Sequence, residues 1–146
     1  MPFVHLERRL NRGGALGDYE DELPELYQAG IRAVVSLSNI PSDGSVYSSA
    51  GFSFLCLPVV DGGAPSFEQT TEFVEFVDRH REQHKPVAVH CEAGVGRTGT
   101  ILAAYFIAKG ESIDATIQRV RSVERSAIET GRQVEFLHQL AGRQRN

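Results

Sequence analysis

The chain has 146 residues, of which 41% are hydrophobic and 23% charged, with a formal net charge of −4; this suits a single globular domain over 1–146 with one well-formed core. The acidic balance argues against a general nucleic-acid or anionic-membrane binder, and no apolar run approaches the roughly 20 residues that span a bilayer. Two cysteines, and an N-terminus that turns charged at Glu7-Arg8-Arg9 without a signal-like apolar stretch, point to a reducing, cytoplasmic setting.

In chain order, residues 3–6 read as a short edge strand and 11–18, with Gly13, Gly14 and Gly17, as a loop. Tyr19, Leu23, Leu26 and Tyr27 follow helical spacing, and Gly30 is placed to stop that helix. Residues 33–37 read as a buried strand, followed by a long polar loop through Ser49 that is expected to wall the site. Residues 52–57 read as another strand. Ser66 and Gln69 form a capping-box pattern before a helix that buries Phe73, Val74 and Val77. His80 and His84 end its polar face and are expected to be solvent-exposed. Val87-Ala88-Val89 after Pro86 reads as a buried strand, and 101–107 as a buried helix. Ser112 caps a helix with Ile113, Ile117 and Val120 on its apolar side; Thr130 and Gln133 stand where they cap a last helix carrying Val134, Leu137 and Leu140. Strands alternating with helices, then a helical C-terminal half, predict an α/β fold. Its centre is a mostly parallel twisted sheet of about four to five strands flanked by helices.

The chemistry is concentrated in His90-Cys91-Glu92-Ala93-Gly94-Val95-Gly96-Arg97-Thr98-Gly99. This segment leaves the carboxyl end of a strand and opens a helix, where free N–H groups attract anions. Gly94 and Gly96 let the backbone wrap so that N–H groups from Glu92 to Arg97 converge on one oxyanion. Arg97 adds a two-pronged donor matched to phosphate oxygens. Cys91 sits in the same positive field, which favours its thiolate. A nucleophilic sulfur inside a phosphate cradle implies phosphoryl transfer through a cysteinyl-phosphate, with no cofactor and no metal.

Other residues fill supporting roles. Thr98 can hydrogen-bond the Cys91 sulfur and improve it as a leaving group, a role compatible with an ordinary helix-start hydroxyl. His90 is read as fixing the loop through backbone hydrogen bonds, since a thiolate needs no base. Asp61, in Pro58-Val59-Val60-Asp61-Gly62-Gly63-Ala64-Pro65, has two readings on its own pattern: a general acid that protonates the leaving alcohol or phenol, or a turn residue, as Asp-Gly often is. Asp43 is a poorer rival. Gln133 stands where it caps its helix. Cys56 reads as a buried apolar residue, with a disulfide to Cys91 as the alternative.

The sequence resembles the protein tyrosine phosphatase superfamily, whose signature of His-Cys, five residues, Arg, then Ser or Thr is met by His90, Cys91, Arg97 and Thr98. It is most similar to the small atypical dual-specificity phosphatases and their archaeal and bacterial relatives. The resemblance also covers the Asp61 loop and Ser126-Ala127-Ile128-Glu129-Thr130 with Gln133. It implies that Asp61 is the acid, that Gln133 has positioning of the hydrolytic water as an alternative to its capping role, and that the substrate is a phosphorylated protein or peptide bearing phosphotyrosine, phosphoserine or phosphothreonine. No basic residue lies between Cys91 and Arg97, and Glu92 disfavours polyanionic headgroups. A phosphoinositide or nucleotide phosphatase is the alternative, and a catalytically silent phosphate-binding module a further one. The chain is read as a monomer that engages neither nucleic acid nor membrane. A zinc site built from His80, His84, His90 and Cys91 is a competing reading, but it leaves Arg97 and the glycines unexplained.

Overall fold

The computed structural model describes residues 3–5, 23–38, 43–60, 62–90, 96–123 and 127–144. Among these, four strands, β1 (Phe3–His5), β2 (Ala33–Ser36), β3 (Ser53–Cys56) and β4 (Val87–His90), form one sheet in the order β1-β4-β2-β3. Every pairing is parallel. Strands β4, β2 and β3 make its body, and the three-residue β1 pairs along β4. The helices are α1 (Leu23–Gln28), α2 (Asp43–Ser49), α3 (Phe67–Arg81), α4 (Gly96–Ala108), α5 (Ile113–Val123) and α6 (Gly131–Gln144). The expected α/β class, parallel sheet and helical C-terminal half are all present.

The chain divides into two compact units, residues 1–58 with 76–93, and 59–75 with 94–146. The first holds the sheet. Val87, Ala88 and Val89 are fully buried, as are Ala33, Val34 and Val35, which is why both strands read as unbroken apolar runs rather than alternating ones. Leu23, Ile31, Val34, Tyr47, Phe52 and Ala88 form its core, with Leu26, Val46 and Phe54 packed against them.

One expectation fails here. The segment before Ser49 is not all loop: α2 occupies Asp43–Ser49. Its serines and Gly44 are weak helix formers, so propensity hides it, and packing makes it. Tyr47 is 1% exposed, stacks on Phe54 at 5.2 Å and meets Phe52 edge-on at 6.1 Å. Gly51, at φ +91°, then ends the helix, with Phe52 N donating to Tyr47 O at 3.0 Å.

The second unit is helical. Ala103, Ala104, Ile107, Val120, Ile128, Phe136, Leu137 and Leu140 form its core, and Phe67 packs on Phe136 with ring centroids 5.5 Å apart. Each of the larger side chains among them contributes roughly 1.5–3 kcal/mol on burial. All three predicted caps form. Ser66 and Gln69 exchange backbone-to-side-chain bonds at 2.9 and 3.0 Å, Ser112 Oγ accepts from Ala115 N at 3.2 Å, and Thr130 and Gln133 make a reciprocal pair at the start of α6.

Candidate active site

Strands β2, β3 and β4 are in register at Ser36, Cys56 and His90, so all three end at one edge of the sheet. Beyond β4 the chain runs through Cys91, Glu92, Ala93, Gly94 and Val95, which lie outside the described residues, as does Asp61. The His90 side chain is likewise outside that description. Gly96, Arg97 and Thr98 form the first turn of α4, and all three are buried.

Arg97 is only 7% exposed. Its Nη1 donates to Val59 O at 2.8 Å, which fixes the plane of the guanidinium. Its Nε is buried and has no hydrogen-bond partner among the described residues. An open donor on a buried cation is costly unless something anionic completes it, and the position at a helix N-terminus favours an anion further. Thr98 is 1% exposed, and Thr100 Oγ1 donates to Gly96 O at 2.6 Å.

A second layer comes from the segment before α6, where sequence reasoning assigned nothing to Glu129. Its carboxylate Oε1 accepts the Gly96 N–H at 2.8 Å. The approach needs a glycine: a Cβ at position 96 would stand 2.6 Å from Glu129 Oε1 and 3.1 Å from Gln133 Oε1. Glu129 is presented by a strained neighbour. Ile128, a β-branched residue, has φ +64°, which costs of order 1–3 kcal/mol and persists only where surroundings enforce it. Those surroundings are visible. The Ile128 side chain is 2% exposed, and Arg121 donates through Nε to Ala127 O at 3.3 Å and through Nη2 to Ile128 O at 3.0 Å. A glutamate after such a turn carries no sequence signature, because the left-handed residue is not Gly, Asn or Asp.

Gln133 is 1% exposed and every described contact of its amide is to backbone. Oε1 accepts from Glu129 N at 2.7 Å and from Thr130 N at 3.1 Å; Nε2 donates to Gly63 O at 3.0 Å. It therefore caps α6, the first of its two expected roles. Thr130 Oγ1 accepts from Gln133 N at 3.2 Å and donates to Gly62 O at 2.8 Å. The glycines that follow Asp61 are thus bound from α6, while Val59, before it, is bound by Arg97.

Of the two histidines at the end of α3, one departs from expectation. His80 is buried, 7% exposed, rather than solvated. Its ring packs on Phe76 at 4.6 Å and Nδ1 lies 2.9 Å from Phe76 O, which satisfies that ring nitrogen inside its own helix. His84 is exposed, at φ +58° just past α3, a conformation for which histidine is enriched. Cys56 is half-buried, and its thiol donates to Ser38 O at 3.3 Å.

The family model described as "Polymorphic toxin system, DSP-PTPase phosphatase" matches residues 11–111, a stretch that runs through β4 and the whole cysteine loop. The chain belongs to that DSP-PTPase family. It is a member of the cysteine-dependent protein tyrosine phosphatase superfamily, among the small atypical dual-specificity phosphatases. The DSP-PTPase match is joined by 33% identity over 108 residues to the tyrosine-protein phosphatase cdc-14 of Caenorhabditis elegans, covering 70% of this chain and 14% of that protein. The phosphatidylglycerophosphate phosphatase PTPMT1 of Arabidopsis thaliana is 30% identical over 131 residues, 82% of this chain and 38% of its own length. The chain therefore spans less than half of these two relatives. The crystal structure of Tk-PTP in the active form superposes with a TM-score of 0.77 at 32% identity, covering 85% of this chain and 86% of that one.

Proposed function

We propose that this DSP-PTPase domain, occupying 1–146 as one catalytic unit, hydrolyses phosphomonoesters of proteins, phosphotyrosine first and phosphoserine or phosphothreonine second. The observation that carries the reading is Arg97, a buried guanidinium fixed by Val59 O, whose buried Nε lacks a partner among the described residues. Such an edge suits a phosphoryl group.

In this reading the Cys91 thiolate attacks phosphorus, an S–P bond forms, and the P–O bond to the leaving group breaks. Asp61 gives its proton to the departing oxygen. Arg97 and the N–H groups from Glu92 to Val95 hold the equatorial oxygens, where charge is spread in a loose transition state; the Gly96 N–H, expected to join them, is instead given to Glu129 Oε1. Water then attacks the phosphocysteine, Asp61 takes its proton, and the thiolate leaves with a hydrogen bond from Thr98. His90 holds the loop. The chemistry uses no metal and no cofactor, and a reducing compartment such as the cytoplasm keeps the nucleophile as a thiol or thiolate.

A second reading is favoured by the match to the plant phosphatidylglycerophosphate phosphatase over 82% of this chain: a lipid phosphomonoester as substrate. Against it stands Glu92 beside Cys91, with no lysine or arginine between Cys91 and Arg97. Steady-state kinetics on phosphotyrosyl, phosphoseryl and phosphothreonyl peptides, and on phosphatidylglycerophosphate in micelles, separates the two. The protein reading expects the largest kcat/KM on a phosphotyrosyl peptide; a lipid preference overturns it. Activity persisting in EDTA and falling with vanadate supports the thiolate chemistry, and loss of activity in EDTA contradicts it.

A further inference from the structure

The backbone around position 61 is held by side chains that helix capping does not require. Gly63 N donates to Val60 O at 2.8 Å, closing a turn with Gly62 at φ +78°. A Cβ on Gly63 would stand 2.7 Å from Val60 Cγ2 and 3.1 Å from Val60 O, so the turn is tight as well as left-handed. Turns of this kind ordinarily lie on the surface and give their carbonyls to water. Here three carbonyls go to protein donors instead. Val59 O takes Arg97 Nη1 at 2.8 Å, Gly62 O takes Thr130 Oγ1 at 2.8 Å, and Gly63 O takes Gln133 Nε2 at 3.0 Å. The last two come from residues 68 and 70 positions away in sequence. To cap α6, Gln133 needs only its Oε1 and Thr130 only a lone pair of Oγ1. The donors of both side chains are spare for capping, and both are directed at the same two glycines.

We infer that Thr130 and Gln133 are positioning residues for the acid step: their donated hydrogen bonds fix the Gly62-Gly63 backbone, and with it the geometry from which Asp61 protonates the leaving group. The inference rests on Asp61 being the acid. A reacting group displaced by about 1 Å loses on the order of 100-fold in rate, so loss of one tether is expected to act on proton transfer and not on phosphate binding.

The test separates capping from tethering. Thr130→Asp keeps an acceptor at the helix cap and removes the donor to Gly62 O; Thr130→Ser keeps both. Gln133→Glu does the same at the other tether, keeping Oε1 and losing the amide donor. For each variant, kcat/KM is measured on an unactivated aryl phosphate and on nitrophenyl phosphate, with and without Asp61→Asn. The expected result is that Thr130→Asp and Gln133→Glu depress the aryl-to-nitrophenyl ratio about tenfold or more, that Thr130→Ser restores it, and that neither lowers the ratio further in the Asp61→Asn background. Equal slowing of both substrates, or an undiminished effect on top of Asp61→Asn, overturns the inference while leaving the phosphatase reading intact. An Asp61→Asn enzyme with a normal ratio removes Asp61 as the acid, and the tether's catalytic role goes with it. If one of the two tether variants does not fold, the other carries the comparison.

Discussion

Glu129 and Gly96 are joined at the start of α4, 33 positions apart in sequence: the carboxylate accepts the Gly96 N–H at 2.8 Å, over a glycine whose missing Cβ leaves room for it. The contact fills one of the N–H groups that a helix leaves unpaired at its first turn. It also sets a negative side chain at the positive end of the helix dipole.

Because the clash at position 96 is with a side chain, it is removable. Gly96→Ala is expected to cost about 1–2 kcal/mol by overpacking, and Glu129→Ala should relieve part of that cost. Urea unfolding of the wild type, both single variants and the double variant should give a coupling of about 1 kcal/mol. Strictly additive effects would show that the two positions do not interact.

Gly99 presents the opposite case. A Cβ there would meet Ala127 Cβ at 2.5 Å, Ala127 Cα at 3.0 Å and Ile128 N at 3.1 Å, much of which is backbone that cannot rotate away. Gly99→Ala is therefore expected to destabilise more than Gly96→Ala, by about 2–3 kcal/mol, although alanine is the better helix former. Thermal unfolding of the two variants side by side checks the order, and a Gly99→Ala protein as stable as the wild type contradicts it.

Ile128 allows a prediction of sign. At most positions glycine is less stable than alanine by roughly 0.5–1 kcal/mol. At φ +64° a Cβ itself costs roughly 1–2 kcal/mol, so Ile128→Gly is expected to be at least as stable as Ile128→Ala. Both lose the buried isoleucine side chain beyond Cβ. Chemical denaturation gives the ranking directly, and the ordinary order, with alanine clearly ahead, refutes the strained geometry.

Arg97→Lys removes a fork that serves two partners. One ammonium cannot hold Val59 O and also present a planar pair of donors. Activity on a phosphotyrosyl peptide is expected to fall about 100- to 1,000-fold, with weaker vanadate inhibition. Near-wild-type kinetics would move the anion site elsewhere.

The fold was legible where one residue pair determines one local geometry. Ser66 with Gln69, and Thr130 with Gln133, announce helix starts because the capping box is a local exchange of bonds. The apolar run at Val87-Ala88-Val89 announces a strand because all three side chains are buried. Helix α2 was hidden because Tyr47 is held by aromatic neighbours outside the helix, Phe52 and Phe54, rather than by helix propensity. His80 was misjudged as solvated because its own helix satisfies its Nδ1. The partners of the site were hidden for a related reason: the Val59 carbonyl that holds Arg97, and Glu129 on Gly96, are pairings at 38 and 33 positions of separation. Nothing local in the sequence marks them.

The central claim is that catalysis passes through a covalent phosphate on Cys91. Acid quenching of the enzyme during turnover of a labelled phosphotyrosyl peptide, followed by peptide mapping, tests it most directly. The account predicts label on the peptide carrying Cys91, and both label and turnover absent in Cys91→Ser. Label on a different residue, or steady turnover by a clean Cys91→Ser preparation, would contradict it.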